Sequence, residues 1–235
     1  MRVLAIETSS ARGSVALLDD DNLVAETSLG EGSRHGRELV PCVDELLRGD
    51  PRGVDLVAVS VGPGSYTGLR VGITFAKTFA VESGTPVVTV SSLDVIAANV
   101  TQRVPLCVAV DARLGQVYAA LYDADGNKTW GDVAAAPEDA AGRIRADDTR
   151  VLGDGLKRYG EVFARAATPI DDESLWWPRA ANAGRLGRRR LEQTGAEDPR
   201  ALVPRYLRRP QAEVKWHESR NASGPRSSST RSDTT

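Results

Sequence analysis

Histidine is scarce in this chain. Its 235 residues include two, His35 and His217. A zinc site built on a His pair needs both rings one helical turn apart, facing one metal. Leu39 stands one turn after His35, and no HExxH motif occurs, which excludes a metallopeptidase of that type. A Ser-His-Asp triad would have to draw on His35 or on the tail residue His217, and neither is expected to serve. Cysteine is as rare. Cys42 and Cys107 both sit in apolar stretches, cannot build a disulfide framework, and are expected as small buried hydrophobes. Aromatic residues make up 5%, a poor supply for a base-stacking platform. No excess of positive charge exists either: 30 basic residues face 32 acidic ones, a net charge of -2, whereas a stand-alone nucleic-acid binder usually needs a basic surface. Only four of the basic residues are Lys, so arginine is the default cation here and a single Arg says little. No apolar run approaches the ~18 residues of a membrane span. The run from Val3 to Ile6 stops at Glu7, short of the ~7–15 apolar residues of a secretory signal. The expectation is a reduced, soluble, cytoplasmic protein without a membrane role.

What is present is globular. Hydrophobic residues are 41% and charged residues 26%, and the length allows one large domain or two of about 100 residues. Residues 3–8 form an apolar run bounded by Ser9 and Ser10. Ser14 to Leu18 alternates, Asp19 to Asn22 makes a turn, and Leu23 to Leu29 returns, which predicts an antiparallel meander. Arg34 to Arg48 carries a helical stripe at Leu39, Val40, Val43, Leu46 and Leu47, with Pro41 inside it, so that helix either starts late or is kinked. Val54 to Val61 reads as a buried parallel strand. Then follow a helix over 69–81, a buried strand over 86–90 and a helix capped by Ser91 or Ser92. Strand–helix–strand units of this length force parallel crossovers.

The pattern then restarts. A strand ending at Asp111, a turn through Gly115 and a strand over 117–123 echo Val3 to Glu7, Gly13 and Val15 to Asp19. A helix over 137–145, a strand over 150–153 and helices over 156–166 and 180–193 follow. A period of about 100 residues indicates a domain duplication rather than a solenoid, with an abbreviated second copy. The expected division is 1–104, 105–205 and a C-terminal extension over 206–235, with the last helix, near 180–194, packing back on the first lobe. Residues 217–235 are rich in Ser and Thr and cannot supply a core, so they are expected to be disordered.

A duplicated α/β domain suggests a cleft between its halves, with strand-end acids facing each other and Gly-rich turns able to cradle phosphate. Glu7, Thr8 and Ser9 would face Asp111 across it. The bland alternative is that these are polar strand ends. Gly62-Pro63-Gly64-Ser65-Tyr66-Thr67-Gly68 lies between a buried strand and a helix N-terminus, a ready anion site, with Gly62, Gly64 and Ser65 as candidates. It lacks the Lys-Ser/Thr of a P-loop and the spacing of a dinucleotide fingerprint. The helix after it is apolar nearly all round, which suits deep burial or a subunit interface. Arg185, Arg188, Arg189 and Arg190 cluster on a predicted helix and are expected to form a solvated face. Trp176-Trp177-Pro178 is expected as a packed loop.

Four segments carry a resemblance to a known family. Residues 3–10 (VLAIETSS), 62–72 (GPGSYTGLRVG), 111–118 (DARLGQVY) and 204–208 (PRYLR) resemble the bacterial TsaB (YeaZ) proteins in order and spacing, over roughly residues 1–212. The resemblance implies two RNase H-like lobes of the actin/Hsp70/sugar-kinase (ASKHA) type, each a mixed sheet flanked by helices. It implies a role in making threonylcarbamoyladenosine next to the anticodon of tRNA. The related TsaD subunit carries the metal-binding His pair and the chemistry. TsaB is its catalytically silent partner, and an ATPase subunit, TsaE, joins them. No cofactor is then expected in this chain, with ATP and a metal in the partner subunits and tRNA held mainly by them. The family's partner surface uses the first two helices of the first lobe, which maps onto Val40, Val43, Leu47, Val71, Phe75 and Phe79. A homodimer through the same surface is also implied. Against this scaffold stands an enzyme in its own right, an ATP-dependent kinase or acyl transferase acting through the cleft. The absent Asp-x-Gly loop and the absent His pair favour the scaffold.

Overall fold

A computed structural model describes residues 1–30 and 35–208. The expectations for His217 and the Ser/Thr-rich tail lie outside the described residues. The first sheet is built from β1 (Arg2–Glu7), β2 (Ser14–Asp19), β3 (Asn22–Ser28), β4 (Leu56–Ser60) and β5 (Val87–Val90), in the order β3-β2-β1-β4-β5. The second is built from β6 (Leu106–Arg113), β7 (Gln116–Tyr122), β8 (Lys128–Ala135), β9 (Arg150–Leu152) and β10 (Thr168–Pro169). Its order, β8-β7-β6-β9-β10, repeats the first. In each sheet a meander pairs antiparallel and the next two strands join parallel.

Sheet alternation in β1 divides the first core in two. Leu4 and Ile6 join Val57, Val59, Leu39 and Ile73 on one side. There lie α1 (His35–Leu47) and α2 (Tyr66–Ser83). Val3 and Ala5 join Ala16, Ala58, Ala180 and Ala183 on the other, under α6 (Ala180–Thr194). Small residues on that side let α6 lie close to the strands. Its N-terminus is pinned by Ser14, whose Oγ accepts from the amide of Ala180 at 2.9 Å. Helix α3 (Ser92–Ala97) goes the other way: Leu93 and Ile96 enter the core of the second sheet with Val108 and Val117. Cover thus passes both ways between the lobes, α6 onto the first sheet and α3 onto the second through Leu93 and Ile96, while Val95 of α3 stays in the first core.

Several expectations need correction. The second copy is not abbreviated in its sheet, which has all five strands. What is short is the helical cover, α4 (Pro137–Ala141) and α5 (Leu156–Phe163). The residue pattern does not predict β8, because Gly131 and Asp132 interrupt it. The strand forms an edge against β7 with two register shifts, where such interruptions are tolerated. Pro41 does not delay α1, which starts at His35 and runs through it. The arginines of α6 divide: Arg189 and Arg190 are exposed as expected, whereas Arg188 pairs with Asp21 at 2.8 Å and with Glu192 at 2.6 Å, and Arg185 donates to the carbonyl of Asp21. Trp176 and Trp177 do form a packed loop. The Trp176 indole donates to the carbonyl of Ile170 at 2.7 Å, and the Arg12 guanidinium lies over the Trp177 ring.

Candidate functional site

Between the lobes lies a cavity of about 310 Å³ lined by Ser9, Gly64 and Ser65 from the first lobe and by Asp111, Asp154 and Trp177 from the second. The expected facing pair of acids does not form there. Glu7 is wholly buried inside the first lobe and does not line the cavity. Its carboxylate accepts from the amide of Ser9 at 2.6 Å and from the hydroxyl of Ser60. Burial pushes its pKa up, against the lowering effect of those two hydrogen bonds. A strand-end acid sealed in this way cannot orient a ligand; it ties β1 to β4 and to its own loop.

The acid that accompanies Asp111 is Asp154, on the loop after β9, which accepts from the amide of Asp111 at 2.9 Å. Burial raises its pKa, the hydrogen bond from the Asp111 amide works against that, and the charge of Asp111 adds a smaller upward push. Sequence reading passed over it, although Gly153-Asp154-Gly155 follows its strand as Gly62-Pro63-Gly64 follows β4.

The Gly-rich loop explains itself by packing. A Cβ on Gly64 would drive into the carbonyl oxygen of Ser9, and one on Gly68 into that of Thr8. The amide of Ser65 donates to the Ser9 carbonyl at 2.7 Å, the Thr8 hydroxyl donates to the Gly68 carbonyl at 2.8 Å, and Ser65 Oγ caps α2 by accepting from the amide of Gly68 at 3.2 Å. Glycines that elsewhere approach a phosphate here approach the β1–β2 turn. Gly62, at φ 111°, instead admits a later segment of chain: its missing Cβ would stand 3.0 Å from the carbonyl oxygen of Arg205.

Burial pushes the Cys107 thiol up to about 12. His35 is buried at the start of α1 against Gly13, and burial lowers its pKa. Among the described residues no three His, Cys, Asp or Glu side chains group to hold a metal ion, and no helix is long and apolar enough to cross a membrane.

The face expected to meet a partner divides under the structure. Val40 is 59% exposed on α1. Leu47, Val71, Phe75 and Phe79 are half-buried, packed beside the first-lobe core, and the two Phe rings lie 6.0 Å apart. Val43 is a correction: at 3% exposed it belongs to the core under α1 and is not available to a partner.

Two like-ordered mixed sheets with exchanged helices define a duplicated, RNase H-like protein of the two-lobed sugar-kinase and actin type. A ROK hexokinase from Thermus thermophilus shares that fold at a TM-score of 0.50 and 8% identity. The model of the family described as "TsaD: tRNA N6-adenosine threonylcarbamoyltransferase" matches residues 31–216. The tRNA threonylcarbamoyladenosine biosynthesis protein TsaB of Bacillus subtilis is 34% identical, covering 93% of this chain and 99% of the relative. TsaB of Escherichia coli is 34% identical over 77% of this chain and 83% of its own. The YeaZ structure from Pseudomonas aeruginosa superposes at a TM-score of 0.77 with 25% identity, covering 88% of this chain and 99% of that one. The chain belongs to the TsaB family, within the wider family that the TsaD model describes.

Proposed function

We propose that this chain acts in the synthesis of threonylcarbamoyladenosine in tRNA as a non-catalytic subunit that binds and activates a TsaD-type transferase. The observation that carries the reading is the occupied Gly-rich loop. The backbone of Ser9 and Thr8 stands against Gly64 and Gly68, the Ser65 amide is already given to the Ser9 carbonyl, and the first-lobe acid is buried out of the cavity. The surface left for function is the outer face of α1 and α2. There Val40 is exposed on α1 and Val71 and Phe75 are half-buried on α2, apolar surface of the kind that marks a protein contact. In this reading ATP and metal chemistry belong to the partner subunits, a TsaE-type ATPase joins them, and tRNA is held mainly by the partners. The setting is the cytoplasm, and a homodimer through the same face competes with the heteromer.

Val40→Asp tests the surface with little risk to the fold, and Phe75→Asp tests its centre at some cost in stability. Both are expected to abolish co-purification with the TsaD-type partner, because a charge buried without a counter-ion is costly. Both should keep a native far-ultraviolet circular dichroism spectrum. Unchanged partner affinity in both variants would remove the surface from consideration. Calorimetry with Mg-ATP probes the rival kinase or transferase reading: low-micromolar binding with turnover by the isolated chain would overturn the scaffold.

A further inference from the structure

The segment Pro204-Arg205-Tyr206-Leu207-Arg208 does not itself line the cavity, yet it touches both lobes. It starts from firm ground in the first. Leu202 is 4% exposed in the core beneath α2, and Lys77 of α2 donates to the carbonyls of Arg200 and Leu202 at 3.0 and 3.2 Å. The amide of Arg205 then donates to the carbonyl of Val61 at 2.7 Å, and its own carbonyl lies against Gly62. Tyr206 stacks on Tyr66, the first residue of α2, with ring centroids 4.6 Å apart and planes 23° from parallel. From there the side chains cross. The Arg205 guanidinium donates at 2.7 Å to Asp132 of β8, whose carboxylate is fully buried and is shared with Lys128. Arg208 donates to the carbonyls of Ala112 and Arg113 at the end of β6.

We infer that residues 202–208 are an interlobe strap, anchored on α2 and latched onto the second lobe through Arg205 and Arg208. It holds the two lobes at one fixed angle without a ligand between them. The geometry supports a latch because the two ends differ. The first-lobe end is anchored by the buried side chain of Leu202, while at the second-lobe end Arg205 is 53% exposed and its contact is a single polar one that can break while the anchor stays. A guanidinium on a desolvated carboxylate is directional and stronger than a surface pair. A stacked tyrosine pair restricts the rotation that would let the strap lift. Tyr66 and Lys77 also make α2 the part of the first lobe that feels the strap.

The test uses the isolated full-length chain and is independent of any partner, so its failure and a failure of the scaffold reading are separate results. Spin labels at Glu45→Cys on α1 and Glu161→Cys on α5, in a Cys42→Ser background, report the distance between the lobes. A single narrow distribution is expected with the strap intact. Arg205→Gln and Tyr206→Ala should each widen it and add a longer population, and the pair together should widen it more. Tyr206→Phe keeps the ring and should match the unaltered chain. Unfolding midpoints and circular dichroism show which variants remain folded. The strap is overturned if the distribution stays narrow in both single variants and in their combination. In that case the exchanged helices alone hold the lobes. A Tyr206→Phe distribution as wide as that of Tyr206→Ala overturns the stacking half of the latch.

Discussion

The loop after β4 and the loop after β9 occupy the same place in their two sheets, yet one opens a helix of 18 residues and the other a helix of eight. Both lobes bring glycine here against the backbone of their first hairpin, the β1–β2 turn in one and β6 in the other. Gly64 and Gly68 meet Ser9 and Thr8; Gly153 and Gly155 meet Ala109. Duplication has therefore kept the same close approach twice, which identifies it as a device for joining a parallel strand to its neighbour's end. The difference lies in the helix that each loop opens. Ser65 caps α2, which runs far enough to present Val71, Phe75 and Phe79 at its flank, whereas α5 buries Phe163 and ends. The lobe with the longer helix is the lobe with a surface to offer.

The largest effect expected from breaking this comparison is on stability. Gly68→Ala and Gly153→Ala should each cost about 2–4 kcal/mol, because an added Cβ meets fixed backbone and Gly153 also has φ 120°. Urea unfolding midpoints measure both. An unchanged midpoint in Gly68→Ala would contradict the close approach of α2 to the Thr8 carbonyl.

Glu7→Gln acts with the opposite sign. The folded-state pKa of Glu7 lies above its ordinary value of 4.5, so the native state holds its proton to higher pH than the unfolded chain does. The stability from that proton is fully present below pH 4.5 and is lost as pH rises through the folded value. Glutamine can accept from the Ser9 amide and donate to the Ser60 hydroxyl without a charge. The variant should be more stable at neutral pH by about 1–2 kcal/mol, or roughly 2–4 °C per kcal/mol in melting temperature. The gain should vanish in acid. A melting series from acid to neutral pH that ran parallel to the unaltered chain would contradict the sealed-acid description.

Gly115→Ala sharpens the contrast from the mild side. Gly115 has φ 76° but nothing within 4 Å of where a Cβ would stand, so only the left-handed backbone resists, at about 1 kcal/mol. A loss as large as that of Gly153→Ala would mean that backbone conformation, rather than close approach, dominates both loops.

Much of this architecture was legible in the residues. Alternation in Ser14 to Leu18, the buried runs at β4 and β5, and the return of a strand–turn–strand pattern at Asp111 and Gly115 all depend on local period, and the strands formed there. The misses arose where local pattern and tertiary pairing disagree. Lys128 to Ala135 looks like a loop until β7 pairs with it. Val43 shares the apolar stripe of α1 with Val40, but lies on the side turned to the sheet. Glu7 and Asp111 match by position in the repeat, but Ser60 and the Ser9 turn enclose one while Asp154 accompanies the other. Only packing between distant segments separates them.

The exchange of α3 and α6 has a consequence for synthesis. Val3, Ala5, Leu18, Leu56 and Val88 line the side of the first sheet that α6 covers, and α6 begins at Ala180. A growing chain that has completed β5 at Val90 still carries that apolar side bare through the making of nearly the whole second lobe. The two lobes are consecutive in sequence but finish together, and a fragment cut between them would carry an open seam that another copy's α6 could fill.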